Sequence, residues 1–441
     1  MSRRGKWIRI GVILALLIVG VPRIGCRRTP SLDDALSSIA EPYRFSILRW
    51  QLSQLLGRPE PAGQPDERGA DSSGASELVV EYFSLVDQAR TAWWEADAIA
   101  AGVLEGDLAV KLTELENLQT RRDALTDSVR RILAWQIRDT LNRQGIFNPV
   151  DRLLQVGVSF PPVNFRLDRP PNVLIVSPRE RIESIREIML VQELDQDQFE
   201  DIEASVDKLG VSSLVTELGG FGGTYPTFVA GDVSLPWTIA TATEEWLHQY
   251  LAFTPLGFMY LLDSIGIARN YEIATINETV AGIVSGEIAE LVMAAYYPQY
   301  GAPSSGGSSS GTGIDFNRTM RELRLAVDEL LANGEIEQAE SLMEERRQLL
   351  VSNGYSIRKL NQAYFAFYGT YADEPTSVSP IGIEVSELRR GSVSLRDFVN
   401  RAAAMTSRQD LINALKTPSD EEGLLVRLTR FGRAADMRSL P

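Results

Sequence analysis

The sequence predicts an α+β protein in which helix dominates, and two observations carry that reading. Residues 77–145 and 234–298 place apolar side chains at helical spacing through long segments. Between them, "VNFRL" (163–167), "NVLIVSP" (172–178) and "IESIREIMLVQ" (182–192) are short, β-like and separated by Pro, Asp and Arg, which predicts a small sheet.

The composition limits what such a fold can do. A chain of 441 residues, 44% hydrophobic and 23% charged, is globular and long enough for two or three packed units. A net charge of −15 argues against a nucleic-acid partner, because phosphate binding needs clustered Lys and Arg. With one cysteine, Cys26, and one histidine, His248, neither an internal disulfide nor a Cys/His zinc finger can form. Any metal site must rely on carboxylates.

Taken in chain order, residues 1–28 predict an uncleaved membrane anchor. Arg3, Arg4, Lys6 and Arg9 precede "IGVILALLIVGV", Arg23, Arg27 and Arg28 follow it, and no small-residue cleavage site is present. The anchor implies a single pass through the cell membrane, with the N-terminus inside and the bulk of the chain extracytoplasmic. Lipidation at Cys26 is the alternative, although "RIGC" has arginine where a bacterial lipobox has an aliphatic residue. Residues 41–57 predict a helix, with Phe45, Leu48, Leu52 and Leu55 on one side, and the Pro/Gly/Ser-rich 58–76 a linker. Helices over 77–101 and 106–143 predict an antiparallel hairpin within 77–145, seamed by Leu108, Leu112, Leu115, Leu125, Val129 and Ile132.

"DQDQFEDIEASVDKLG" (195–210) resembles a Ca²⁺ loop only superficially, since Phe199 and the lack of a central glycine break the pattern, and it predicts an acidic helix start. "LGGFGGTYPTFVA" is a glycine-rich strand segment. Residues 301–313 predict a Gly/Ser-rich linker, 314–415 a C-terminal helical part with Asn-Gly stops after 316–334 and 335–354, and 416–441 a tail.

The chemistry gathers in "TATEEWLHQYLAF" (241–253). Ser234 and Pro236 predict the start of its helix, on which Glu244 and His248 stand one turn apart with Glu245 beside them. Two ligands one turn apart can hold a metal ion, and a glutamate after the first can act as general base. Glu278, in "TINETVAGIVSGEIAELV", offers a third ligand on a later helix. Ordinary roles are also open: Thr241 with Glu244, and Thr275 with Glu278, fit capping boxes, and a lone histidine can be a satisfied core residue.

"EEWLHQYL" followed by "NETVAG" resembles the gluzincin zinc metallopeptidases, whose HExxH helix is followed by a helix carrying an NE-type third ligand. The resemblance covers about 210–295 and implies a gluzincin-like domain with a small sheet over 150–300. It implies Glu244, His248 and Glu278 as metal ligands and Glu245 as the base that takes a proton from the attacking water. Glu244 departs from the family pattern, which has histidine there. A Glu-His-Glu set can hold zinc, but its two anionic ligands weaken the acidification of water and make manganese competitive. The resemblance further implies a peptide or protein substrate, and a glycine strand before the site helix that pairs with substrate backbone. A plain turn explains that strand equally well. Tyr364, Tyr368 and Tyr371 share a helix face, where they either pack or donate to an oxyanion as catalytic groups. The rival functions are an inactive pseudo-peptidase that binds peptides and an envelope scaffold that associates through the 77–143 hairpin.

Overall fold

The computed structural model describes residues 31–47, 50, 73–149, 159–264, 267–268, 270–300, 315–369 and 379–416. The expected anchor, most of the 58–76 linker, the 301–313 linker and nearly all of the tail lie outside the described residues. The chain divides into two units, Met1–Glu41 and Pro42–Pro441. In the first, α1 (Leu32–Ala40) is an amphipathic helix closed by a reciprocal capping box between Ser31 and Asp34. Apart from Glu41, everything below concerns the second.

The predicted hairpin is present as α2 (Ser73–Ala100) and α3 (Leu108–Arg143), so the helix begins inside the expected linker. Asp107 caps α3 by accepting from the amides of Ala109 and Val110. Val79, Tyr82, Phe83 and Val86 of α2 and Val129, Leu133, Ile137 and Leu141 of α3 belong to one buried cluster. The expected seam fails near the tip, where Leu108 and Leu112 stay exposed. Lys111 stands seven residues, about two turns, before the buried Leu118 and so comes to the inner face. There its ammonium lies 2.6 Å from Glu95 of α2.

Of the helix expected over 41–57, residues 48, 49 and 51–57 lie outside the described residues, and its expected start is not α-helical. Glu41–Tyr43 is a single 3₁₀ turn, and Arg44 bridges Leu190 in the sheet, because the Val191 amide donates to Tyr43 and the Phe45 amide to Met189.

Two three-stranded sheets replace the single small sheet expected. In the first, the wholly buried β2 (Asn172–Pro178) lies between β3 (Arg186–Leu190) and β4 (Val211–Glu217), antiparallel to both. The acidic helix α4 (Gln196–Asp207) packs on β4 and starts at an Asp195–Gln198 capping box, as its composition required. The second sheet has the order β1 (Phe165–Leu167), β6 (Thr227–Val229), β5 (Gly220–Phe221), with β1 parallel and β5 antiparallel to β6. β5 is therefore an edge strand made from the glycine-rich segment.

Three apolar helices follow: α5 (Leu235–Leu251), α6 (Pro255–Ser264) and α7 (Tyr271–Tyr296). α7 is long and apolar enough to cross a membrane by length and composition, but half of its apolar window is buried in this unit. Its side chains Ile273, Ile276, Val280, Val284, Ile288 and Val292 join the cluster that contains the hairpin. The Asn-Gly stops hold, with Gly334 and Gly354 at positive φ ending α8 (Phe316–Ala332) and α9 (Ile336–Ser352).

The boundaries expected at 150–300 and 314–415 are not packing boundaries. α10 (Gln362–Tyr368) sits on β2 and β4, and α11 (Ile381–Arg390), α12 (Leu395–Ala403) and α13 (Arg408–Leu415) add Val385, Phe398 and Leu411 to the central cluster. The fold is thus α+β and mostly helical, with hairpin, sheets and C-terminal helices in one unit.

A partly buried ion pair fastens the segment before α10 to α4 and the first sheet. Arg358 makes a two-pronged contact with Glu203 at 2.9 and 2.6 Å, and Glu203 also accepts from the Val215 amide at 2.6 Å. Removing the arginine leaves a carboxylate only 3% exposed with Lys359 as its remaining cation, at 3.3 Å. Arg358→Met should therefore lower unfolding stability by about 3 kcal/mol. Urea denaturation checks this, and an unchanged midpoint would show the pair to be dispensable.

Candidate metal centre

α5 presents two neighbouring rows of side chains, and they have different tasks. Trp237, Thr241, Glu245 and Gln249 recur every fourth residue, so they form one ridge of the helix. The glycine segment lies against this ridge. A Cβ on Gly219 would stand 2.4 Å from the Trp237 ring, one on Gly220 2.6 Å from Thr241, and one on Gly222 2.5 Å from Glu245 Oε2. Glu245 accepts from the Gly222 amide, and Gln249 donates to the carbonyls of Gly222 (3.3 Å) and Thr224 (3.1 Å). The glycines are thus required by backbone approaching helix.

The second row, Glu244 and His248, converges with Glu278 of α7. One donor atom from each lies within 4.8 Å of the others, so the predicted ligand set is assembled. His248 Nε2 and Glu278 Oε2 are 3.5 Å apart. That is close to the edge of a tetrahedron with metal bonds of about 2.1 Å, roughly 3.4 Å. It is too long for a good hydrogen bond, and Glu278 Oε2 is buried without a hydrogen-bond partner. In the ion-free site a protonated His248 faces this oxygen as its ion-pair partner, and a divalent cation between the two could take that proton's place. The residues therefore fit a metal ion.

Capping does not account for either glutamate. α5 begins at Ser234, which stands at the N-cap without a side-chain bond, and Thr241 lies two turns inside. α7 begins at Asn270, whose side chain caps Ile273, and the Thr275 hydroxyl donates back to the Tyr271 carbonyl.

Two partners escaped the sequence reading. Asn277 Nδ2 lies 2.9 Å from His248 Nδ1, and Asn277 Oδ1 is buried without a partner. Turning the amide over lets Oδ1 accept from Nδ1–H, which leaves the Nε2 lone pair for a metal. Tyr260 of α6 stacks on the His248 ring at 5.6 Å and 18°, and its hydroxyl donates to Glu278 Oε1 at 2.6 Å. Asn277 could have been found from its place beside Glu278; Tyr260 is the lone phenol in the apolar run "PLGFMYLLDS".

Tyr364 and Tyr368, expected as possible oxyanion donors, belong instead to the apolar cluster on Val173, Ile175 and Leu214. Their rings stand 4.5 Å apart, and the Tyr368 hydroxyl faces Thr216 at 3.4 Å. Helical spacing aligned them, but the sheet face is what they cover. Tyr371 lies outside the described residues.

The electrostatics follow from crowding three carboxylates, Glu278 buried and Glu244 and Glu245 half-buried, around one half-buried imidazole. Burial pushes Glu244 up to about 7 and Glu245 up to about 8. Burial disfavours the charged form of His248, but Glu278, then Glu245 and Glu244, outweigh it and raise the ring to about 9. Burial opposes ionisation of Glu278 too, yet His248 and the Tyr260 hydroxyl hold it below the usual carboxylate range. Burial and the Glu278 charge keep the Tyr260 phenol protonated, so it remains a donor.

Two measurements follow. A metal must displace the protons that His248 and, in part, Glu244 carry at neutral pH, so zinc binding should release protons and tighten from pH 6 toward pH 9. Calorimetry in buffers of different ionisation heat reads this, and pH-independent binding would place the ion elsewhere. Gly222→Ala should cost about 1–3 kcal/mol of stability by overpacking. Glu245→Ala in the same chain should recover part of it, and strict additivity in urea titrations would show that the two do not touch.

No family model matches the chain, and comparison with curated proteins and with solved structures likewise finds no match. What the chain has to declare its chemistry is a Glu244–His248–Glu278 group that could hold a metal ion.

Proposed function

We propose that the chain is a metallopeptidase-like hydrolase of the gluzincin type, held at the extracytoplasmic face of the cell membrane by residues 1–28 and acting on peptides or proteins. The observation that carries this reading is the convergence of Glu244, His248 and Glu278 around a buried oxygen with no hydrogen-bond partner. Glu244, His248 and Glu278 would hold zinc, with manganese as the alternative for an oxygen-rich set. Bound there, the ion supplies Lewis acidity toward a peptide carbonyl and toward water. Glu245 takes the proton of the attacking water and returns it to the leaving amine. In the ion-free site burial raises Glu245 to about 8, so it holds a proton at neutral pH, and the charge of a bound ion would have to lower that value before it could accept one. The edge of β5 that pairs with no other strand among the described residues, beside Glu245, is where an extended substrate would lie.

A second reading has its own support. The Glu245 carboxylate is engaged by the Gly222 amide, and Gln249 holds the same loop, so both side chains also serve as struts. A protein that binds peptides along β5 without cutting them needs no more.

A peptide-library digest with zinc or manganese, read by mass spectrometry, separates the two. Cleavage by the native chain that vanishes in Glu245→Gln, with metal retained, is the expected result for the enzyme, because the base is not a ligand. Cleavage only by Glu244→His, which restores a neutral nitrogen donor one turn from His248, identifies a disabled peptidase. Absence of both metal and cleavage in all three chains would sink the metallopeptidase reading and favour a scaffold.

A further inference from the structure

Tyr260 touches two of the three donor groups at once, and no other described side chain is shown to do so. A carboxylate can bind a metal through one oxygen or through two. The Tyr260 hydroxyl donates to Glu278 Oε1 at 2.6 Å, a short bond to an ionised acceptor, so that oxygen is already committed. Oε2 is left without a hydrogen bond, facing His248 Nε2 at 3.5 Å as an ion-pair partner only. The same ring lies nearly parallel to the imidazole, 5.6 Å away, and so fixes the plane in which Nε2 points.

The placement of Tyr260 is built into the fold. A Cβ on Gly257 would stand 2.2 Å from the backbone of Leu251, the last residue of α5. Only glycine lets the first turn of α6 lie this close to the end of the site helix. Three residues later, on the same helix, Tyr260 reaches the site.

Resting on the metal-centre reading, we propose that Tyr260 is a positioning residue that makes Glu278 a one-oxygen ligand. By occupying Oε1 it keeps the protein's donors at three, one atom each from Glu244, His248 and Glu278. The fourth position of a tetrahedral ion then stays open. Without the hydroxyl, Glu278 can swing both oxygens onto the ion and fill that position.

The test uses the full-length chain, titrated with Zn²⁺ for affinity and with Co²⁺ for its visible spectrum. Tyr260→Phe keeps the stacked ring and loses only the donor. Its zinc affinity should fall by about 10- to 100-fold, the usual effect of removing a partner that orients a ligand. The visible absorption of the Co²⁺ form should weaken as coordination number rises, which a merely structural role would not produce. Tyr260→Met, which fills similar space without a hydroxyl, should give the same weakened spectrum and stands in should Tyr260→Phe not fold. Leu261→Ala, on the exposed side of α6, should leave affinity and spectrum unchanged. If the native chain binds Zn²⁺ and Co²⁺ and both Tyr260 variants match it in affinity and spectrum, the positioning role is overturned while the metal centre stands. If the native chain binds neither ion, the centre itself fails, and the role of Tyr260 with it.

Discussion

The site depends on one helix having to satisfy two neighbours at once. α5 sits between the glycine segment around β5 and the long core helix α7, and its rows Trp237–Thr241–Glu245–Gln249 and Glu244–His248 lie side by side. Neither contact can be adjusted alone. Rotating α5 to relieve Gly220 and Gly222 would turn His248 away from Glu278, and moving α7 would open the cluster that contains Ile239, Ala242, Val280 and Val284. The convergence of three ligands is therefore set by apolar packing behind them. The polar groups at the front are held in a position they did not choose.

That constraint explains why so much of the chain is devoted to support. The hairpin buries Val129, Leu133 and Ile137 in the cluster that holds α5 and α7, and α11–α13 close it with Val385, Phe398 and Leu411. Arg389 of α11 grips Glu287 of α7 through two hydrogen bonds, at 2.7 and 2.9 Å, further fixing the helix that carries Glu278. A ligand group of like-charged carboxylates repels itself, and only a rigid surrounding keeps it together.

Much of this was legible in the amino-acid sequence wherever a feature depended on local spacing. The one-turn offset of Glu244 and His248, the fully apolar β2 and the Asn-Gly stops at Gly334 and Gly354 need no knowledge of the neighbours. What escaped was decided across the chain. Lys111 displaced Leu108 and Leu112 from the seam because Glu95 waits on the facing helix. Tyr364 and Tyr368 shared a face as expected, but that face meets β2 and β4. Tyr260 reaches the site only because Gly257 allows α6 to fold against Leu251, a contact that periodicity does not register. The fourfold glycine run signalled close approach but not toward what.

The glutamate in place of a first histidine changes the charge balance more than the geometry. Two carboxylates and one neutral imidazole bring a divalent ion to a net charge of zero, whereas two imidazoles and one carboxylate leave it positive. A neutral centre is easier to bury, but it draws less electron density from a bound water, so that water is harder to deprotonate. Without the ion, burial first, and then the charges of Glu244 and Glu278, raise Glu245 to about 8 despite the opposing influence of His248 and the Gly222 amide. A divalent ion that cancels those two charges removes their contribution and leaves burial as the cause that keeps Glu245 a better proton acceptor than an exposed carboxylate. On the proposed reading the base is therefore made by the packing around it, and the glycine segment lying against Glu245 is part of that packing.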